Sequence, residues 1–318
     1  MNSLHARSIS TSHPRNLLLT IDAFGTLFYP CPSVPVQYAT TAHEFGLSRT
    51  AITPAKLKSA FKDVLRAQSK RYPNYGRADV LGGKYGGPRQ WWEEVIRGSF
   101  ARVLAPSQGG SKEQFDLPLG MVDTLIDRFA GQGGYTLYED VVPFFARMRE
   151  IKNSSTRRFD RVVLGVISNS DDRVPAVLKA MGLRVGNIRA DQDLSSIELP
   201  GFEQRGGNVQ GAGAGSSVDL DLDLVITSYE AGEEKPNRLI FDVAKRQAGL
   251  GSTSAGVDET DDWVCVHVGD DYEKDYRGAI DAGWQSYLLP RGDGQQHPAR
   301  TIRSLVDLIG ELKIGSSG

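Results

Sequence analysis

The sequence predicts a doubly wound α/β fold, in which helices cover both faces of a parallel sheet. Two observations support this fold class. Five short apolar segments lack the polar–apolar alternation of half-exposed strands, which indicates strands that are buried on both faces. A turn and then a helical pattern follow each segment, as parallel strands joined by crossover helices require. The five predicted strands span residues 16–21, 162–168, 224–227, 264–268 and 285–289.

Amphipathic patterns between and after these strands predict the covering helices. Apolar residues recur three or four positions apart in the stretches 174–181, 239–244 and 302–312. This spacing places them on one face of a helix, which can then pack against the sheet.

Between the first and second strands the pattern is helical only. Thr53 and Pro54 suit an N-cap and a first helical residue, and apolar residues follow on one face. Trp91 and Trp92 begin a second apolar stripe, and we expect them to pack inside this segment. The segment is therefore predicted to be an all-helical cap domain, inserted after the first strand so that it covers Asp22.

Two segments are too poor in apolar residues to bury a core of their own. One is the start of the chain, and the other contains repeated glycines and alternating Asp and Leu. Shorter stretches at 107–113, 251–262 and 315–318 are similar in composition. The predicted organisation is a disordered tail at 1–14, an α/β core from 15–30 and 139–318 with a disordered insertion at 192–223, and the helical cap at 31–138.

Composition and charge favour small-molecule chemistry. The net charge is -2, from 37 basic and 39 acidic residues, so no basic field favours nucleic acid or a membrane surface. No apolar run approaches the roughly 18 residues of a membrane span. Cys31 and Cys265 cannot form a disulfide framework, and Cys265 is expected in a strand core.

We therefore expect a soluble protein of a reducing compartment. The cytoplasm is the default and the nucleus stays open. Arg7 and Arg15 in an N-terminal stretch without acids leave the mitochondrion as a weaker alternative. The expected partner is a small phosphorylated or acidic substrate, and the sequence identifies no protein partner.

Seven polar residues stand where predicted strands end, or shortly after. They are, in chain order, Asp22, Ser168, Asn169, Lys235, Asp270, Asp271 and Asp275. Ligands of doubly wound sheets bind beyond the carboxyl ends of the strands, so we expect these side chains in a single cleft. Each has an ordinary explanation on its own, such as a turn cap or a solvated charge. Together, however, four carboxylates and one lysine would repel one another unless a cation neutralised them. Mg²⁺ is the expected cation, because it prefers few carboxylates and several waters.

At these positions the sequence resembles the haloacid dehalogenase (HAD) superfamily, whose four motifs occur here in order. They are the turn at 22–27, the Ser168-Asn169 pair, Lys235, and the loop from Gly269 to Asp275. The helical segment resembles the cap of that superfamily, and the core resembles its Rossmann-like sheet. More narrowly, residues 72–76, 89–92, 227–236 and 267–270 resemble the eukaryotic haloacid dehalogenase-like hydrolase domain-containing protein 3 group, also called the rhythmically expressed gene 2-like group.

The resemblance implies a role for each acidic residue. Asp22 would be the covalent nucleophile, forming an aspartyl intermediate that water later hydrolyses. Asp22, the backbone carbonyl of Phe24 and Asp270 would hold Mg²⁺. Asp271 or Asp275 would orient the waters bound to that ion.

The resemblance also implies that Ser168, Asn169 and Lys235 bind phosphoryl oxygens, with Lys235 steadying the nucleophile. The sequence departs from the pattern at Phe24. Phosphatases of the superfamily usually carry an Asp there, which protonates the leaving alkoxide and then activates water. General acid–base catalysis contributes roughly 10²–10⁴ in rate. Alkyl phosphates are therefore expected to be poor substrates, and acyl or aryl phosphates less affected.

Three functions stay open. The first is a Mg²⁺-dependent hydrolase that acts on a small phosphorylated metabolite through Asp22. The second is a catalytically degenerate protein that binds a ligand or a protein without turnover. The third is 2-haloacid dehalogenase-type activity, because residues 22–28 resemble those enzymes and Arg66 offers a halide- or carboxylate-binding side chain. The acidic cluster speaks against the third function, because it would repel a haloacid unless metal were present.

Overall fold

The computed structural model describes residues 16–104, 116–154, 158–190, 199–202, 220–250, 263–292 and 296–314. Its strands are β1 (Asn16–Ile21), β2 (Phe28–Pro30), β3 (Tyr135–Leu137), β4 (Arg161–Ser168), β5 (Val185–Ile188), β6 (Leu222–Thr227), β7 (Trp263–Gly269) and β8 (Gln285–Leu288). Its α-helices are α1 (Val34–Glu44), α2 (Pro54–Arg71), α3 (Arg77–Leu81), α4 (Pro88–Leu104), α5 (Met121–Arg128), α6 (Val141–Asn153), α7 (Val174–Ala180), α8 (Ser228–Ala231), α9 (Arg238–Leu250), α10 (Gly278–Asp281) and α11 (Asp307–Glu311). A 3-10 helix spans Pro73–Gly76, and a π-helical turn spans Tyr272–Arg277.

Six parallel strands form the main sheet, in the order β5-β6-β4-β1-β7-β8. Strand β1 is central, and Ile21 at its end pairs with Val166 of β4 and Val268 of β7. The five strands predicted from apolar runs are confirmed. The sixth, β5, escaped prediction because it has only four residues and includes Gly186 and Asn187, so it forms no apolar run.

Two apolar cores explain why the strands show no alternation. Leu17 and Leu19 of β1 belong to a cluster with residues of α6, α7 and α11, on one face of the sheet. Leu18 belongs to a second cluster with residues of α9 and α10, on the other face. Alternate residues of one strand thus reach opposite cores, and both sets have to be apolar.

The helices between β2 and β3 pack around a core of their own. This helical module, α1 to α5, buries Tyr38, Phe100 and Leu125 among other apolar side chains. The Thr53 hydroxyl caps α2 by accepting a hydrogen bond from the backbone N–H of Lys56, as predicted. Strands β2 and β3 pair antiparallel where the chain enters and leaves the module. That the module covers the catalytic cleft as a cap stays a prediction.

Two predicted boundaries are wrong. The disordered insertion was predicted to run to residue 223, but β6 begins at Leu222, and the carboxylates of Asp221 and Asp223 are buried in ion pairs with Arg149 and Lys152. These pairs compensate for the low apolar content of the segment. The helix predicted over 302–312 is shorter, because α11 covers only Asp307–Glu311, although four of the apolar residues in that stretch are buried.

Several other predictions lie outside the described residues. They are the tail at 1–14, the parts of the predicted insertion at 192–198 and 203–219, and the stretches at 107–113, 251–262 and 315–318. Cys265 is buried in β7, as expected for a core residue, and Cys31 is exposed. In the part of the chain that the structure describes, every helix is too short or too polar to cross a bilayer.

Candidate active site

Asp22 lies at the carboxyl end of the central strand. Its backbone N–H donates to the carbonyl of Val268 at 2.8 Å, which continues the β1–β7 pairing by one residue. The residue is buried and only 7% exposed. Because Asp22 belongs to the rigid centre of the sheet, its carboxylate is held in place by backbone pairing on a neighbouring strand.

Lys235 brings its ammonium group to this carboxylate from the segment between α8 and α9. Its Nζ lies 2.5 Å from Oδ1 of Asp22 and 2.7 Å from Oδ1 of Asp275, and it donates to the carbonyl of Ile167 at 2.7 Å. These three acceptors account for all three protons of the ammonium group. The predicted meeting of Asp22 and Lys235 is therefore present in the structure.

Asn169 holds the backbone of Lys235. Its Oδ1 accepts a hydrogen bond from the Lys235 N–H at 2.6 Å, and its Nδ2 donates to the Lys235 carbonyl at 2.9 Å. The sequence predicted Asn169 as a phosphate-binding residue. In the structure its side chain positions the lysine, and its contact with phosphate stays a prediction.

Asp275 is the hub of a buried hydrogen-bond network. Its Oδ1 accepts from Lys235 and lies 3.2 Å from Nε2 of His267, while its Oδ2 accepts from the Asp271 N–H at 3.0 Å. On the other side of the imidazole, Nδ1 of His267 lies 2.9 Å from the Thr20 hydroxyl. A carboxylate can only accept, so Nε2 carries the proton and Nδ1 accepts from Thr20.

Asp270 and the turn after Asp22 fit closely together. The Thr26 hydroxyl donates to Oδ1 of Asp270 at 3.0 Å. Gly25 has a φ of +83°, and a Cβ at this position would lie 2.6 Å from Oδ2 of Asp270. The glycine is required both by its left-handed backbone and by the carboxylate that lies against it.

Burial and mutual repulsion set the protonation of these acids. Burial, with repulsion from Asp275 and Asp270, raises the pKa of Asp22 to about 7 in spite of the adjacent Lys235. Burial also raises the pKa of Asp270. By contrast, Lys235 and His267 hold the pKa of Asp275 well below its usual range against the effect of burial. Burial lowers the pKa of His267, so this imidazole is neutral.

An open cleft brings all seven predicted residues together. It is lined by Asp22, Phe24, Ser168, Asn169, Lys235, Asp270, Asp271, Lys274 and Asp275. Among the described residues, nothing forms a hydrogen bond with the Ser168 hydroxyl, which leaves it available for a ligand. Phe24 is 37% exposed, and its ring meets those of Phe28 and Tyr135 edge-on, at centroid distances of 4.6 and 5.6 Å.

The acidic residues fit a hard divalent cation. Carboxylate oxygens of Asp22, Asp270 and Asp275 all lie within 4.8 Å of one another. With Lys235 as the only cation in direct contact with this triad in the described structure, two negative charges are left uncompensated. The raised pKa values of Asp22 and Asp270 express this excess. Oxygen ligands of this kind and charge suit Mg²⁺. Asp275 already accepts three hydrogen bonds, which leaves Asp22 and Asp270 as the better placed ligands.

Sequence reasoning missed some site residues and proposed one that lies elsewhere. His267 and Thr20 were not predicted as site residues, because both lie inside strands that are otherwise apolar. The sequence signal that could have identified them is a polar residue at the same register position on two adjacent strands. Lys274 lies between the predicted Asp271 and Asp275 in sequence and was also missed. Arg66 is exposed on α2 and does not line the cleft, so the structure gives no support for it as a halide- or carboxylate-binding residue.

Comparison with known proteins relates the chain to one superfamily. A family model described as HAD-hydrolase-like matches residues 233–309, which contain Lys235 and the acidic loop. An uncharacterized protein of Saccharomyces cerevisiae is 28% identical over 88% of this chain and 73% of its own length. Haloacid dehalogenase-like hydrolase domain-containing protein 3 of Danio rerio is 26% identical, covering 92% of this chain and 94% of its own. The rhythmically expressed gene 2 protein of Drosophila melanogaster is 26% identical over 86% of this chain and 82% of its own.

The chain is thus similar to proteins of the HAD-like hydrolase superfamily. The resemblance predicted from the four motifs is therefore confirmed, together with the parallel α/β core. The roles of individual residues in this HAD-like protein, and its use of Mg²⁺, stay predictions.

Proposed function

We propose that this HAD-like protein is a Mg²⁺-dependent hydrolase that acts on a small phosphorylated metabolite through covalent attack by Asp22. The observation that carries the proposal is the buried Asp22 carboxylate, held 2.5 Å from Lys235 beside Asp270 in an open acidic cleft. A structural ion pair would need no second and third carboxylate at the same place.

Each residue has a task in the proposed reaction. Asp22 attacks phosphorus while the bond to the leaving oxygen breaks, so the phosphoryl group moves to the carboxylate and the leaving group departs as an oxyanion. Lys235 neutralises negative charge beside the phosphoryl oxygens, and the Ser168 hydroxyl offers them a hydrogen-bond donor. Water then attacks phosphorus, releases inorganic phosphate and restores the Asp22 carboxylate. A Mg²⁺ ion held by Asp22, the Phe24 carbonyl and Asp270 would supply charge neutralisation for the incoming phosphate.

Phe24 sets the substrate preference in this proposal. Its ring carries no proton to give to a leaving alkoxide and cannot take one from water. Leaving groups that are stable as anions, such as acyl or aryl oxyanions, need no protonation. The proposed substrates are therefore activated phosphates, and turnover of alkyl phosphates is expected to be slow.

A phosphatase assay tests the proposal. With Mg²⁺, the wild type is expected to release phosphate from 4-nitrophenyl phosphate, and Asp22→Asn to lose at least about 10³-fold of kcat. Asp127→Asn, an exposed substitution of the same kind on α5, serves as the matched control and keeps full activity. Equal phosphate release by wild type and Asp22→Asn would contradict the proposal.

Phe24 also favours the second candidate, a HAD-like protein that binds a phosphorylated ligand or a protein without turnover. Calorimetry separates the two. Mg²⁺ binding that is lost in Asp270→Ala, with no Asp22-dependent turnover of acyl or aryl phosphates, would establish the binding protein. We also infer a small-molecule partner, with no nucleic acid or membrane, from the near-neutral net charge of -2. A cytoplasmic or nuclear location is inferred from the two cysteines, which cannot form a disulfide framework.

A further inference from the structure

A second recess lies next to the acidic cleft, where the helical module meets the sheet. It is a cavity of about 50 Å³, and its lining includes Tyr38, Phe61, Trp92, Phe129, Tyr135 and Arg173. Tyr135 connects the two sites, because its ring lines the cavity and also contacts Phe24, which lines the cleft. A substrate bound at Asp22 would extend past Phe24 towards this cavity.

Arg173 is a buried cation in this otherwise apolar place. Its Nε and Nη2 donate to the two carboxylate oxygens of Asp171 at 2.9 and 2.8 Å. The rings of Trp92 and Phe202 lie 5.0 and 4.4 Å from its guanidinium carbon. Among the described residues, no group accepts a hydrogen bond from Nη1 of Arg173, although this residue is only 7% exposed.

Two tyrosines add further donors to the same cavity. In the described part of the chain, the hydroxyls of Tyr38 and Tyr135 form no hydrogen bond. Burial raises the pKa of Tyr38 well above its usual range and that of Tyr135 to about 12, so both hydroxyls keep their protons. Neither hydroxyl is fully enclosed by protein, so each faces space that a ligand can occupy, and an acceptor placed there would gain hydrogen bonds.

Charge decides which partner fits. Asp171 already neutralises Arg173 and also accepts a hydrogen bond from Nε1 of Trp92 at 2.8 Å. An anion placed here would find no uncompensated positive charge, and burying an unpaired charge is far more costly than burying a hydrogen-bonded neutral group. The cavity therefore suits a neutral acceptor.

We propose that this cavity binds an uncharged, oxygen-bearing group at the far end of the substrate's leaving group, such as a carboxamide. Its oxygen accepts hydrogen bonds from Nη1 of Arg173 and from the hydroxyls of Tyr38 and Tyr135. The size agrees, because a cavity of about 150 Å³ accommodates the six carbons of benzene, and one of about 50 Å³ suits a group of about two or three heavy atoms. The description of the ligand as a leaving group rests on the proposed hydrolysis at Asp22.

Binding of three phenols tests the cavity without any turnover. By NMR titration, the wild type is expected to bind 4-hydroxybenzamide at least about 10-fold more tightly than the isosteric 4-hydroxybenzoate. Tyr38→Phe, which removes only one hydroxyl, should weaken benzamide binding about 3- to 10-fold and leave 4-methylphenol binding unchanged. Tyr135→Phe should do the same, which keeps the test available if the buried Tyr38 variant folds poorly. Tyr29→Phe, at an exposed ring away from the cavity, is the matched control and should change neither affinity.

Equal or tighter binding of the benzoate would overturn the proposal, as would benzamide affinity that both variants leave intact. Phosphate release then separates this inference from the proposed function. In one outcome, the wild type hydrolyses phenyl phosphate through Asp22 and yet shows no preference for 4-carbamoylphenyl over 4-carboxyphenyl phosphate. That result would contradict the proposed ligand of the cavity and leave the proposed hydrolysis intact. Benzamide selectivity in the titration without any phosphate release contradicts the hydrolase alone.

Discussion

At the scale of single residues, Asp22 shows how burial sets the chemistry of this site. Its pKa is raised to about 7 from an ordinary value of 3.8, because it is buried close to two further carboxylates. Between pH 4 and 7, the Asp22 carboxyl group is therefore protonated in the folded protein but already ionised in the unfolded chain. Stability of the metal-free protein should therefore fall as the pH rises through this interval.

Asp22→Asn tests this electrostatic cost. In EDTA at pH 8, the variant should unfold at a higher urea concentration than the wild type, with a gain in unfolding free energy of at most about 4 kcal/mol. At pH 4 the difference should nearly vanish, because the wild-type carboxyl is then protonated when folded. Saturating Mg²⁺ should raise the stability of the wild type at pH 8 by binding to the native state. A less stable variant at pH 8 in EDTA would contradict the assignment.

Phe24→Asp tests the substrate preference. The new carboxyl group can protonate a leaving alkoxide, so kcat on an alkyl phosphate is expected to rise about 10-fold or more, within the range of general acid–base catalysis. Aryl phosphate turnover should change much less. Phe24→Leu is the control, because it also loses the ring contacts with Phe28 and Tyr135 but gains no acid. Equal alkyl phosphate rates in the two variants would show that position 24 does not limit the reaction.

The residues that sequence reasoning found and missed differ in a physical way. Asp22 and Asp270 were found because a charged residue at the end of an apolar strand is conspicuous, and Lys235 because it stands between them in the order of the four motifs. His267 was missed because it is a single polar residue within a buried strand, and its partner Thr20 lies 247 positions away in sequence. The clamp between Asn169 and Lys235 spans 66 positions and depends on side-chain geometry that no local pattern encodes.

At the scale of secondary-structure elements, the connection after β7 is shaped by one glycine. A Cβ on Gly269 would lie 2.2 Å from Cγ of Asp275, so the turn can bring Asp275 back against β7 only without a side chain there. In the observed position the Asp275 carboxylate reaches Lys235, and the loop that carries Asp270 is fixed by the bond from the Asp271 N–H.

Gly269→Ala should therefore displace Asp275 and loosen the contact with Lys235. We expect a loss of about 1–3 kcal/mol in unfolding free energy and a clear loss of Mg²⁺ affinity by calorimetry. Gly249→Ala, in α9 with open space around the added methyl group, is the matched control. It should be neutral or slightly stabilising, because alanine favours a helix. If Gly269→Ala bound Mg²⁺ with wild-type affinity, the close packing of Asp275 against residue 269 would not be needed for Mg²⁺ binding.

At the scale of the whole molecule, the helical module and the sheet meet through a left-handed turn. Asn74, Tyr75 and Gly76 have consecutive positive φ values of 46°, 60° and 74°. The Asn74 side chain donates to the Ser228 carbonyl at 2.8 Å and accepts from the Ser228 hydroxyl at 2.9 Å. Backbone strain of this kind persists where the surrounding structure demands it, and here it fixes the module to the start of α8.

Asn74 can be tested with two substitutions that separate strain from bonding. Asn74→Gly removes both hydrogen bonds but accepts the left-handed backbone, and should cost about 1–3 kcal/mol of unfolding free energy. Asn74→Ala loses the same bonds and also places an alanine in a left-handed backbone conformation. Its unfolding free energy, measured in urea, should therefore be lower than that of Asn74→Gly by about 0.5–1 kcal/mol. An alanine variant more stable than the glycine variant would contradict the assigned strain.

Whether a feature of the molecule could be predicted depends on how far apart in sequence its interacting residues lie. The parallel core, the helical module and the acidic cleft depend on strand patterns and on the rule that loops converge at strand ends. The cavity around Arg173 could not be predicted, because Tyr38, Tyr135 and Arg173 come from three distant segments. Only their packing shows that the tyrosine hydroxyls and Nη1 of Arg173 lack partners in the described chain.

The indole of Trp92 gives this protein a built-in optical reporter. This indole donates from the module to Asp171 and lies over Arg173, whereas Trp91 bonds within the module. Trp263 is part of β7, and Trp284 belongs to a core on one face of the sheet. Separation of module and sheet would transfer one chromophore of four into water and leave the other three in place. The difference between the emission spectra of the wild type and Trp92→Phe would then report the separation of module and sheet in real time, without a dye.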